Sequence, residues 1–115
     1  MDDFTDAVTL TAREVSGGVV VVVVAGELDM ATAPMVEEYV HRRLGDVSEA
    51  LVLDLSGVTF LGSTGINLLI ALRSACESVG AALRLVATTK VVLHPLELTD
   101  LLDHFTIVTA VGEAG

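Results

Sequence analysis

The sequence predicts an α/β fold, a mostly parallel sheet opened by an N-terminal hairpin with helices packed against it, and three observations carry that prediction. The chain is 52% hydrophobic but only 3% aromatic. Its core must therefore be built from Val, Leu, Ile and Ala, the aliphatic set that suits a sheet covered by helices. The first two apolar stretches are separated by a Ser-Gly-Gly turn. After them, short apolar runs alternate with stretches of helical periodicity, the pattern of right-handed crossovers between parallel strands.

Taken in order, residues Val8 to Val15 alternate apolar and polar, as a half-buried strand does. Ser16-Gly17-Gly18 is a turn. Val19 to Ala25 includes six consecutive valines, whose branched side chains lose rotamer freedom in a helix, so this run reads as a buried strand paired with the first. Glu27-Leu28-Asp29 leads out of it. Thr32 is placed to cap a helix beginning at Ala33-Pro34, where proline's missing N–H costs nothing, and Gly45 is expected to stop that helix after Leu44. Ala50 to Leu55 is a third strand, and Ser56 to Gly65 reads as a loop of small residues. A second helix runs from about Ser63 to just before Gly80. Leu83 to Ala87 is a fourth strand, and a third helix spans about Val91 to Leu102, with Pro95 required to lie in its first turn. Thr106 to Thr109 is the last strand, which gives the order ββαβαβαβ. With no internal repeat and no linker, the expectation is a single domain over residues 1–115, its core about 7–110.

Charge and composition narrow the function classes. A formal net charge of -10 repels phosphate backbones and anionic membranes, so neither nucleic acid nor membrane is an expected partner. A basic partner surface would be attracted, although acidic charge also keeps a very apolar domain soluble. The single cysteine, Cys76, cannot form an intrachain disulfide and fits a cytoplasmic location. The N-terminal MDDFTDAV carries three acids and no basic flank, unlike a secretory signal. The longest apolar run, Val19 to Ala25, is far short of the roughly 20 residues of a membrane span.

The segment from Asp54 to Ile66 joins a strand's carboxyl end to a helix, where open α/β sheets meet ligands and partners. Enzyme motifs fail there. Gly57 and Gly62 have P-loop spacing and Ser63 follows, but the lysine that reaches the phosphates is missing. Leu61 occupies the first glycine position that a GxSxG elbow around Ser63 would need. His41, His94 and His104 fall on or beside helices and read as surface residues, and no Cys and His pair has zinc-ligand spacing. No enzyme activity, metal or cofactor is expected.

Two adjacent hydroxyls remain at the helix start, Ser63 and Thr64. The plainer reading is a helix N-cap. A helical wheel at about 100° per residue adds a second feature. Leu68, Leu69, Leu72, Cys76 and Val79 share a core stripe, which makes Cys76 structural, whereas Ile66 and Ile70 fall among Ser63, Arg73, Ser74 and Glu77. Two isoleucines on a polar face form an apolar docking patch, unless the third helix or a loop covers them.

Two motifs carry a family resemblance. Gly26-Glu27-Leu28-Asp29 followed by Ala31-Thr32-Ala33, and Leu53-Asp54-Leu55-Ser56-Gly57-Val58-Thr59-Phe60-Leu61 followed by Gly62-Ser63-Thr64-Gly65-Ile66, together resemble the GELD…TA segment and the hydroxyl motif of STAS-domain anti-sigma factor antagonists. The resemblance runs through nearly the whole chain and implies a STAS-type fold in a bacterial, cytoplasmic regulator of transcription. It implies a phosphoacceptor at Thr64, the second hydroxyl, and places Asp29 near the partner surface; with the helix-start motif and the apolar patch from the wheel, the expected partner contacts are Asp29, Gly62, Ser63, Thr64, Gly65, Ile66, Ile70 and Arg73. In that family the partner is an anti-sigma factor with serine/threonine kinase activity. The unphosphorylated antagonist binds it and frees a sigma factor, phosphorylation breaks the complex, and a phosphatase restores it. The protein is then expected to be monomeric on its own. The sequence departs from the pattern at Gly62, where the family carries an acid, which bears on kinase preference and makes Ser63 the alternative acceptor. The competing classes are a STAS module of a transporter or stress-signalling assembly without a phosphoswitch, and a nucleotide-binding protein using the Gly57-to-Thr64 segment.

Overall fold

The computed structural model describes residues 3–4, for which only the backbone is considered, and residues 8–111. Six strands line up in sequence order, β1 (Asp3–Phe4), β2 (Val8–Ser16), β3 (Val19–Leu28), β4 (Ala50–Leu61), β5 (Ala82–Val86) and β6 (Thr106–Val108). The first three pair antiparallel and the rest parallel. Helices α1 (Ala33–His41), α2 (Ser63–Ser78) and α3 (Lys90–Leu98) fill the crossovers. This is the α/β architecture the sequence predicts, with one unexpected strand, β1, too short at two residues to leave a periodic signal.

The valine run is buried because both faces of the sheet are covered. Val20, Val22 and Val24 join Leu51, Leu53, Leu83 and Leu85 beneath the helices, in a core that includes Val36 and Tyr39 of α1, Leu69 and Leu72 of α2, and Leu96 of α3. The alternate residues Val19, Val21, Ala50, Val52 and Val86 form a second cluster on the opposite face, against which Val108 and Val111 pack. A strand buried on both sides has no polar positions left to alternate.

Several boundaries differ from expectation. β3 and β4 do not stop at Ala25 and Leu55 but continue as a parallel pair to Leu28 and Leu61. The residues Ser56 to Leu61 read as loop because they are small and polar, yet a paired strand supplies their backbone hydrogen bonds. The pairing shifts register around Ala25 and Gly57, where a Cβ on Gly57 would lie 2.9 Å from that of Ala25. α1 ends at His41, and Gly45 lies inside a 3₁₀ turn, Leu44–Asp46, rather than acting as a stop. The chain tightens where the Arg43 N–H bonds the Val40 carbonyl at 2.9 Å and the Arg43 guanidinium stacks 3.6 Å from the Tyr39 ring centre. Pro95 is the sixth residue of α3, not a first-turn residue. That helix ends at Leu98 instead of Leu102, on Asp100 at φ 58°, with the Leu101 N–H reaching back to the Leu96 carbonyl. The same closure at Gly80 ends α2 where expected.

Candidate functional site

The site forms where β3 and β4 reach their carboxyl ends side by side. Leu28 pairs with Leu61, and the Gly62 N–H donates to the Leu28 carbonyl at 3.3 Å. This stitch sets the turn into α1, beginning at Asp29, against the first turn of α2. Gly65 completes the approach, since a Cβ there would stand 2.6 Å from Leu61 Cδ1 and 3.0 Å from the Leu28 carbonyl oxygen.

The β3–α1 turn is organised by Asp29 and Thr32. Asp29 Oδ1 accepts from the backbone N–H of Ala31 at 2.9 Å and of Thr32 at 3.1 Å. The Thr32 hydroxyl donates to the Glu27 carbonyl at 2.6 Å and accepts the Asp29 N–H at 3.1 Å. Thr32 stands at the N-cap as expected, but its hydroxyl faces back into the turn and makes no cap hydrogen bond to α1. Asp29 is half-buried, with its carboxylate committed to the backbone that presents Met30 to solvent.

At the start of α2 the N-cap is Gly62, and no side-chain cap hydrogen bond forms. Ser63 and Thr64 are the first two helical residues. The capping that would have been their plainer explanation is therefore not their job. Ser63 is exposed and Thr64 half-buried. A Cβ at position 62 would come within 3.1 Å of the Phe60 ring, so an acidic side chain there fits only if this half-exposed ring gives way. The N-terminal N–H groups of α2 and its dipole favour an anion at this end.

The other expected residues divide. Ile70 is 42% exposed on the outer face of α2, as the helical wheel had it. Ile66 is not part of that patch. It is 7% exposed and belongs to the main core, because the first turn of α2 lies close over Leu28 and Leu61 and buries a flank that stays open further along the helix. Val79, expected in the core, is 47% exposed as the residue that caps α2. Gly65 is buried, and Arg73 is exposed and paired with Glu77 at 3.4 Å, one turn on. Cys76 is fully buried, and burial pushes its thiol up to about 11. The three histidines are all exposed, and no group of residues fit to hold a metal occurs among the described residues.

A groove of about 420 Å³ runs between α1 and α2 beside the hydroxyls, lined by Met30, Ala33, Pro34, Glu37, Thr64, Asn67, Leu68 and Ala71. Sequence reasoning reached only Thr64 as a site residue among these. Met30, 79% exposed, had a legible signal as a large apolar residue in an otherwise polar turn. Glu37 and Asn67 had none, since only the packing of α1 on α2 brings them to one groove.

Comparison with known proteins decides the family. The STAS domain profile matches residues 11–114. The chain belongs to the STAS domain family. Among STAS relatives, the anti-sigma-F factor antagonist RsfB of Mycobacterium tuberculosis is 34% identical over 111 residues, covering 95% of this chain and 88% of the relative. A crystal structure of an anti-sigma factor antagonist from Mycobacterium paratuberculosis superposes with a TM-score of 0.79 at 34% identity, covering 95% of this chain and 92% of that one. The anti-sigma factor antagonist SpoIIAA in its unphosphorylated form shares the STAS fold, with a TM-score of 0.71 at 17% identity over 91% of each chain. No helix among the described residues is long and apolar enough to cross a membrane.

Proposed function

We propose that this chain is an anti-sigma factor antagonist whose unphosphorylated form binds an anti-sigma factor with kinase activity and so releases a sigma factor. The observation that carries the reading is the pair of uncapped hydroxyls at the start of α2, beside an apolar groove and the Asp29 turn, in a chain 34% identical to a protein named for that activity. Binding without catalysis fits the surroundings. The Ser56 to Leu61 segment is paired strand, so the Gly57-to-Thr64 stretch makes no phosphate-cradling loop.

Thr64 is the phosphoacceptor in this reading. A phosphate adds about -1.5 to -2 charges and three acceptor oxygens. The N–H groups and dipole at the start of α2 accommodate that charge, so the fold survives. Binding does not, because the phosphate would sit in the wall of an apolar groove that also contains Glu37. Desolvating it there beside the like charge of Glu37 costs several kcal/mol, and about 3 kcal/mol already weakens affinity more than a hundredfold. A phosphatase then resets the switch.

Incubation with the cognate kinase and ATP, followed by mass-spectrometric site mapping, tests this. The expected result is phosphate on Thr64, with Thr64→Glu losing the partner and Thr64→Ala binding it while resisting modification. Phosphate on exposed Ser63 would keep the switch and move its site. Absence of phosphate from both, with the complex stable in ATP, would leave a binding module without this switch.

A further inference from the structure

We propose that the groove between α1 and α2 seats an aliphatic side chain of the anti-sigma factor, and that a lysine or arginine beside that side chain meets Glu37 on the rim. The inference rests on the function proposed above and specifies the contact that would realise it.

Small residues from both helices line the groove. Ala33 of α1 and Ala71 of α2 line it, with Leu68 on the α2 side. Larger side chains there would have closed the gap, as ridges fill grooves elsewhere along packed helices. About 420 Å³ remains open, with room for more than one aliphatic group. Met30 stands at the mouth with 79% of its surface exposed. An unbranched, polarizable side chain in that position adapts to the shape of whatever enters. The Asp29 hydrogen bonds to Ala31 and Thr32 shape the turn that carries it.

Charge selects the occupant. Glu37 is the charged residue of the lining, no lysine or arginine contributes to it, and the chain as a whole carries -10. A second copy of the chain would bring the same negative charge to the contact. An apolar anchor with an adjacent cation satisfies both the apolar walls and the acidic rim.

The groove also makes the switch local. Thr64 forms part of its wall, so a phosphate there would occupy the space of the anchor and set like charge against Glu37. The phosphate would then act on this one pocket rather than on the interface at large.

The purified anti-sigma factors of the organism that encodes the chain are titrated with wild-type protein by calorimetry, and the one that binds becomes the probe. Ala71→Trp fills the groove seven residues along α2 from Thr64, and is expected to lower affinity by about thirtyfold or more while keeping a cooperative melt. Glu37→Lys is expected to lower affinity by about tenfold and to flatten its dependence on salt. In wild-type protein carrying ¹³C-labelled methionine methyls, the Met30 signal is expected to shift on saturation, a measurement that needs no variant to fold. Wild-type affinity in Ala71→Trp, or an unmoved Met30 methyl in a saturated complex, overturns the groove and leaves the antagonist reading standing. Self-association of the free chain that Ala71→Trp abolishes would make the groove a dimer contact and overturn the proposal as well. If no anti-sigma factor binds the wild-type protein, the antagonist reading fails, and the groove contact fails with it.

Discussion

Single atoms determine how the two turns of the site are held. Asp29 Oδ1 gathers two backbone N–H groups and thereby fixes where Met30 stands. Any contribution of Asp29 to partner binding is thus expected to be indirect, through the turn that its carboxylate shapes. Asp29→Ala is expected to weaken binding to the anti-sigma factor while costing about 1–2 kcal/mol of stability, the scale of a lost cap or turn hydrogen bond. Calorimetry of binding beside thermal melts separates the two effects, and unchanged affinity would reduce Asp29 to a turn residue. Gly65 is more demanding. An added Cβ meets Leu61 at 2.6 Å and the Leu28 backbone at 3.0 Å, and the backbone neighbour cannot swing away. Gly65→Ala is expected to cost about 1–3 kcal/mol, as overpacking does, and to separate the turns. A melting temperature equal to wild type would show that α2 shifts freely there.

At the scale of elements, α2 must serve the core and the surface together, and its two isoleucines show how. Ile66 lies in the turn that lies close over Leu28 and Leu61, whereas Ile70, one turn later, is 42% exposed. Ile70→Glu is therefore expected to abolish partner binding with a stability change within about 0.5 kcal/mol, as surface substitutions usually are. Ile66→Ala should instead cost about 2–5 kcal/mol, comparable to Leu72→Ala in the middle of the core stripe. Chemical denaturation of the three variants distinguishes them. Unfolding of the domain by Ile70→Glu would mean that this face of α2 is covered. β4 carries a similar double duty. Its first half is a buried parallel strand, and its second half extends alongside β3 to deliver Gly62 and the hydroxyls to the α1 turn.

At the scale of the whole molecule, the centre of the sheet is buried on both faces, with Val20, Val22, Leu51 and Leu53 on one side and Val19, Val21, Ala50 and Val52 on the other. Cys76 is enclosed by the core, and burial raises the thiol from 9.0 to about 11. Native protein at pH 8 is expected to react with a thiol reagent about a hundredfold more slowly than unfolded protein, since both access and thiolate are withheld. The sign of the pH effect follows from the raised value. The contribution of the neutral thiol to stability is complete below pH 9.0 and is lost as the pH rises toward about 11. Labelling at the unfolded rate in native buffer would show that α2 opens readily from the sheet.

What the sequence determined by itself is what one-dimensional pattern can encode. The β-branched Val19 to Val24 run specified a buried strand, the alternation of apolar runs specified parallel crossovers, and the hydroxyl motif specified where to look for the site. Tertiary structure decided the rest. Ser56 to Leu61 is strand rather than loop because the end of β3 lies beside it to accept the pairing, a partner that composition does not announce. Ile66 is core rather than surface because Gly65 lets the first turn of α2 settle onto Leu28, so a wheel drawn for an isolated helix misplaces it. The groove with Glu37 and Met30 arises only when α1 and α2 are packed together, since its two walls, Met30 to Glu37 and Thr64 to Ala71, come from separate stretches of the chain. Local sequence specifies which faces seek burial, and three-dimensional packing selects which of them obtain it.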